Sequence, residues 1–163
     1  MSFTKRRVVV TGLGAVTPLG PDLATSWSRL LAGEGGAGPL TAFAADGQPV
    51  RIACEASEFE AERWLDGDAL GRLDRAAHFA VAAARMAEAD AGFEIAAESE
   101  RVGTSIGTAQ GGLSSLESSY AELLESGRVE QSWISAFLPN MPAAAVSLEL
   151  GTRGPLVRPR DRP

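Results

Sequence analysis

The sequence predicts an α/β fold, and three stretches carry that prediction. Val102 to Ile106 alternates small and β-branched residues, the pattern of a buried strand, and runs into Gly107, Gly111 and Gly112. Directly after the glycines, apolar residues at 113, 116, 120, 123 and 124 mark one face of a helix that Gly127 is placed to end. Near the start, Lys5-Arg-Arg-Val-Val-Val10 followed by Thr-Gly-Leu-Gly14 reads as a second buried, parallel strand entering a glycine turn. Strand, glycine turn and helix in succession form the basic unit of α/β folds, whose sites lie at the carboxyl ends of the strands.

The totals bound the rest. The chain has 163 residues, enough for one domain with a real core, and its 45% hydrophobic and 22% charged content is ordinary for a globular protein. A net charge of −6 argues against a nucleic-acid or anionic-membrane surface, and no stretch reaches the roughly 18 apolar residues of a membrane span. One cysteine, Cys54, excludes an internal disulfide and suits a reducing cytoplasm; with one histidine, it makes a dedicated zinc site untenable.

Taken in order, Gly12-Leu-Gly14 invites a dinucleotide reading, but Thr17-Pro18 stands where the third glycine belongs, so the loop is expected to be structural. Asp22 is placed to cap a helix through Trp27, Leu30 and Leu31 to Gly33. Residues 33–49 read as a surface loop, and Val50–Ala56 as an edge or half-buried strand in which Cys54 is a small core residue. Ser57, with Glu60 three residues on, suits the start of a short helix to Leu65. The longest helix spans Asp74 to Ala91, rich in alanine and stopped by Gly92; its His78 lacks a partner base or ligand and is expected to be structural or merely exposed. Trp133 to Pro142 reads as an apolar loop, Asn140 as a cap for a helix over 143–150, Gly151 as its stop, and Gly154-Pro-Leu-Val157 as the opening of another strand. Arg158–Pro163 is basic and twice broken by proline, so it cannot continue a central strand.

Four stretches, in order and at matching spacing, resemble the N-terminal part of a β-ketoacyl-[acyl-carrier-protein] synthase. They are Arg7–Gly20, the Asp74-Arg75 pair, Gly107-Thr-Ala-Gln-Gly-Gly-Leu113 and Gly151-Thr-Arg-Gly-Pro155, within a likeness that covers residues 5–157. The resemblance implies the N-terminal half of a thiolase-like fold, a mixed, mostly parallel sheet flanked by helices, over 1–157, with a divergent tail at 158–163. It implies acyltransferase chemistry in fatty-acid or polyketide biosynthesis: a cysteine takes an acyl chain from a carrier thioester, and two histidines assist decarboxylative condensation with malonyl carrier protein. It further implies an acyl carrier protein and a homodimer partner, no cofactor, and a cytoplasmic location.

The family's Thr-Ala-Cys is expected at 161–163, where Asp161-Arg-Pro163 stands, so no catalytic residue is assigned and the chain alone is expected to be inactive. A frameshift or misplaced gene end is the expected account of the tail: if the arginines use CGN codons, a one-base shift over Arg158–Arg162 permits Pro-Val-Thr-Ala, although the next shifted codon begins with C and cannot encode cysteine. In the family the position of Gln110 lies beside the acyl pocket and the loop holding Phe137 approaches it; Gln110 is equally well read as solvated. The alternative, from another class, is a non-catalytic structural or interaction subunit docking on an intact synthase. Open frame downstream with Cys and His motifs favours the fragment, and a clean stop favours the subunit. If an apolar helix layer awaits a second half, the isolated chain should be poorly stable.

Overall fold

A computed structural model describes residues 7–130 and 132–157. Its centre is a pair of helices, α3 (Arg75–Ala91) and α6 (Met141–Leu150), packed along each other. Ala77, Val81 and Ala82 of α3 are buried, as are Ala143, Ala145 and Val146 of α6. Small side chains let the two backbones approach closely, which is what an alanine-rich helix offers. Arg85 of α3 and Glu149 of α6 close the contact with a 2.8 Å ion pair. Both helices end as the sequence predicts, at Gly92 (φ +59°) and Gly151 (φ +71°), where the left-handed backbone favours glycine.

Before them come α1 (Leu23–Leu31) and α2 (Gly67–Arg72). Asp22 caps α1 by accepting from the Thr25 amide at 2.8 Å, and Asp66 caps α2 through the Ala69 amide at 2.8 Å. Cap and helix are as expected for α1; α2 is short and carries no clear periodicity in the sequence. Against the start of α3, Phe59 packs edge-on to Phe79 at 4.9 Å, and the Arg75 guanidinium lies over both rings. Between 107 and 140 lie α4 (Leu113–Ser126), stopped by Gly127 as expected, and α5 (Trp133–Phe137).

The strands differ from expectation. Among the described residues two separate two-residue pairs form in place of one continuous sheet: β1 (Gly38–Pro39) antiparallel to β2 (Ile52–Ala53), and β3 (Thr104–Ser105) parallel to β4 (Leu156–Val157). Val8, Val9 and Val10 form no strand and are 92, 67 and 78% exposed, contrary to the buried strand expected there. A parallel strand needs backbone partners at its edges, and the described residues supply none to the valines. Cys54 is exposed, not core: it follows β2, and no described layer covers that side. Ser57 caps nothing; the helix there is a single 3₁₀ turn, Ala61–Arg63, entered from Glu60 without a side-chain cap. The expected apolar loop at 133–142 is largely helical, because α5 docks on α4 and the first turn of α6 begins at Met141. Asn140 precedes α6 without a side-chain cap bond. The tail 158–163 lies outside the described residues.

Gly12 and Gly14 have a definite structural use. A Cβ on Gly12 would lie 2.1 Å from the Ala87 carbonyl oxygen, and one on Gly14 would lie 2.0 Å from that of Ala83. The segment therefore rides directly on the backbone of α3, held further by the Leu13 amide donating to Asp90 at 2.9 Å. The turn Thr17–Gly20 closes on itself and ties to α1 through Thr17 Oγ1 and Ser26 Oγ at 2.7 Å. These glycines serve helix packing, and α1 does not start until Leu23, so no helix N-terminus meets the glycine turn.

Candidate functional site

The parallel pair β3–β4 sets the direction of the site. Thr104 pairs with Leu156 and Ser105 with Val157, so the carboxyl ends of both strands lie side by side. A buried hydroxyl chain fixes this register: Thr104 Oγ1 and Thr152 Oγ1 are 2.8 Å apart, and Thr152 Oγ1 bonds Ser147 Oγ of α6 at 3.0 Å. The Gly154 amide donates to the Val102 carbonyl at 3.0 Å, and a Cβ there would meet that oxygen at 2.6 Å. The sequence Gly151-Thr-Arg-Gly-Pro155 is thus a turn that ends α6 and feeds β4 against β3.

From the end of β3 the chain enters the glycine loop 107–112. Gly111 has φ +72°, and a Cβ on it would lie 2.6 Å from the Phe137 carbonyl oxygen. Gly112 donates its amide to that same oxygen at 3.1 Å, and a Cβ on it would meet Ala136 O at 2.5 Å and Asp74 Cβ at 2.7 Å. Both positions therefore require glycine, one for its dihedral and both for clearance. Thr108 Oγ1 adds a bond to the Pro139 carbonyl at 2.8 Å. The loop and the α5–α6 connection are consequently one unit.

Asp74 is the hub beneath it. Its buried carboxylate caps α3 through the Ala76 amide at 2.9 Å, and its other oxygen accepts from the Ser115 amide at 3.1 Å and hydroxyl at 2.7 Å. One side chain thus fixes the starts of two helices, and so places the loop between β3 and α4. The partner, Ser115, escaped the sequence reading; a hydroxyl residue in the first turn after Gly-Gly is the only signal it leaves.

Of the two predicted pocket residues, Gln110 lies exposed at the loop tip and Phe137 is half-buried at the end of α5, stacked on Trp133 at 5.1 Å and 10°. The Gly111–Gly112 contacts bring their backbones together. A cleft of about 290 Å³ lies nearby between α2, α4 and α5, lined by Arg72, Ser115, Ser118, Glu130 and Trp133, and neither Gln110 nor Phe137 lines it. The loop offers amides, hydroxyls and a carboxamide, groups that position a ligand. Cys54 and His78 lie elsewhere, in the strand region after β2 and on α3, so no nucleophile–base pair assembles among the described residues. No cluster of three or more His, Cys, Asp or Glu suited to a metal occurs among them either. His78 is half-buried with its Nε2 unpartnered, and burial holds its pKa below the usual imidazole value.

Comparison with known proteins agrees with this arrangement. Residues 5–159 match the family model for the β-ketoacyl synthase N-terminal domain. The chain is 40% identical over 157 residues to 3-oxoacyl-[acyl-carrier-protein] synthase 2 of Synechocystis sp., covering 94% of this chain and 38% of that protein. Among solved structures it resembles the ishigamide ketosynthase/chain length factor, with TM-score 0.86 and 29% identity over 95% of this chain and 40% of the other. A β-ketoacyl synthase from Burkholderia phymatum STM815 follows at TM-score 0.76 and 25% identity, over 94% of this chain and 39% of its own. The chain spans well under half the length of each.

Proposed function

The chain belongs to the β-ketoacyl synthase family, and from that premise we propose that it is the N-terminal part of a decarboxylative condensing enzyme and is catalytically silent by itself. Its fold is α/β, the N-terminal half of a thiolase-like ketosynthase. The observation that carries the reading is the family match over 5–159, together with a β3–β4 pair whose carboxyl ends abut the glycine loop. In the assembled enzyme an acyl group passes from a carrier thioester to a cysteine thiolate, releasing the carrier thiol. Malonyl carrier protein then loses carbon dioxide, and its carbanion attacks the acyl carbonyl, expelling the cysteine and forming a β-ketoacyl thioester. Such chemistry needs a nucleophile and groups that stabilise a developing oxyanion. Cys54 follows β2 and His78 lies on α3, and neither belongs to the glycine loop.

This chain's contribution is scaffold and pocket wall: the Asp74-anchored loop presents Gln110, and α5 presents Phe137, toward the acyl chain. A glutamine there leaves a polar group facing an alkyl chain, which is costly unless it is hydrogen-bonded. The domain occupies 1–157, and 158–163 is a divergent tail. The partners are an acyl carrier protein and a second synthase protomer, in fatty-acid or polyketide synthesis in the cytoplasm. The test is incubation of the purified chain with an acyl carrier thioester and malonyl carrier protein, followed by intact-mass analysis. Neither an acyl adduct nor a condensed product is expected. Acylation of Cys54 at a rate comparable to an intact synthase would refute the proposal.

A further inference from the structure

Strand β4 is two residues long, and its side chains, Leu156 and Val157, are 43 and 49% exposed. Register is strongly specified where one face of a strand is buried, so these side chains specify it only weakly within this chain. The backbone nevertheless takes one register: the Thr104 amide donates to the Pro155 carbonyl at 2.9 Å, and the Ile106 amide to that of Val157 at 3.3 Å. Three hydroxyls supply what the side chains of β4 do not. Ser147 Oγ donates to the Thr152 carbonyl at 2.9 Å, and Thr152 Oγ1 donates to Ser147 Oγ at 3.0 Å. Each hydroxyl has a single proton, so the 2.8 Å contact between Thr104 and Thr152 is filled only when Thr104 donates. Three protons thus fill three bonds in one arrangement, running from β3 to α6. The Thr152 amide also donates to the Ser147 carbonyl at 3.0 Å, so one residue of α6 holds both the backbone and the side chain of Thr152. Thr104 and Thr152 are buried, away from water that could replace a lost bond.

We propose that Thr104, Thr152 and Ser147 are positioning residues for the condensation. Through them α6 fixes the register in which β4, and the segment leading on to the expected nucleophile position at 163, leaves β3. The inference rests on the reading of the chain as an N-terminal synthase part. Helix α6 is the firm side of this strap, because Ala145 and Val146, next to Ser147, pack in the core with Ala77 and Val81 of α3. A slip of one residue advances a strand by about 3.3 Å and turns its side chains to the opposite face. Reacting atoms must lie about 3–3.5 Å apart, so such a slip is enough to take a nucleophile out of place.

Hydrogen–deuterium exchange of the full chain, read by mass spectrometry on peptides from 102–107 and from the middle of α3, tests the strap. Thr152→Val keeps the shape and removes the hydroxyl; it should speed exchange in 102–107 at least about tenfold and leave α3 within about twofold of wild type. Thr152→Ser restores the hydroxyl and should bring 102–107 back to within about threefold of wild type. Adding Thr104→Val to Thr152→Val removes the hydroxyl that the first substitution orphans. The double variant should therefore exchange no faster than Thr152→Val alone. Ser147→Ala breaks the strap from the α6 side, where alanine suits the helix, and should speed the same exchange. The inference is overturned if 102–107 is unchanged in Thr152→Val and Ser147→Ala, or if α3 speeds up to the same degree. Failure of Thr152→Ser to restore protection overturns it as well. The exchange pattern bears on the strap alone and the acylation assay on the synthase reading, so either can fail without the other.

Discussion

The α3–α6 pair and the N-terminal valine segment have similar apolar content and opposite fates. Val81 is fully buried between helices, whereas Val8, at the start of a run of three valines, is 92% exposed. The difference lies in where the partners sit. A helix satisfies its own backbone and needs only a cap, a stop and one face to bury. The alanine helix has all of these within the chain: Asp74, Gly92 and α6. A parallel strand must borrow hydrogen bonds from neighbours distant in sequence, and Val8–Val10 find none among the described residues. Burial thus follows partner availability more than hydrophobicity.

Charging the two regions in parallel should sharpen this contrast most. Val81→Asp places an unpaired carboxylate in the helix pair and is expected to cost about 4 kcal/mol or more. Val9→Asp, at an exposed site, should stay within about 0.5 kcal/mol. Urea midpoints followed by far-ultraviolet circular dichroism measure both, and equal losses would erase the distinction.

The seam between the regions comes next. Gly14→Val drives a side chain into the Ala83 carbonyl and should cost about 1–3 kcal/mol, by lifting the segment off α3. Faster hydrogen exchange at the Leu13 amide, which bonds Asp90, reports that lift directly. Unchanged exchange would mean that the segment does not ride on the helix.

Asp74→Ala should cost about 2 kcal/mol, since cap loss alone is worth about 0.5–2 and the Ser115 amide also loses its acceptor. Because the carboxylate serves two helices, Asp74→Ser should restore the α3 cap but not the reach to Ser115. Amide shifts confined to α3 would show that α4 is placed independently.

Acidification should produce the smallest effect. His78 resists protonation in the folded state because burial disfavours its charged form, while the unfolded chain takes the proton at about pH 6.5. The folded pKa is lowered, so this stability is present above about pH 6.5 and is lost as pH falls below it. His78→Gln should remove that slope from the urea midpoint between about pH 5 and 7. A slope that survives the substitution would assign it to other groups.

Local signals account for what was legible in the sequence. Asp22, Gly92, Gly127 and Gly151 are punctuation that acts within a few residues, and the helices they bound appear where expected. The glycines at 111 and 112 were legible as a turn, yet their contact with Phe137 is a long-range fact with no periodic signature. Helix α5 leaves no local signature, because it is short and forms by docking on α4. Cys54 is exposed where a core position is expected, because alternation says which residues share a face but not whether anything covers it. Ser57 had the right spacing for a cap, but the segment is tightened into a 3₁₀ turn under Phe59 and Leu65.

One packed helical region leaves many apolar side chains uncovered. Each fully exposed Val, Leu or Trp side chain forgoes roughly 1.5–3 kcal/mol of burial, and several together rival the roughly 5–15 kcal/mol that holds a domain. Size-exclusion chromatography combined with thermal unfolding at several concentrations tests this most directly. The isolated chain should elute as associated or polydisperse material, with helical circular dichroism and a broad, concentration-dependent transition. A monodisperse monomer with a sharp, concentration-independent transition above about 50 °C, as in an ordinary self-sufficient domain, would contradict it.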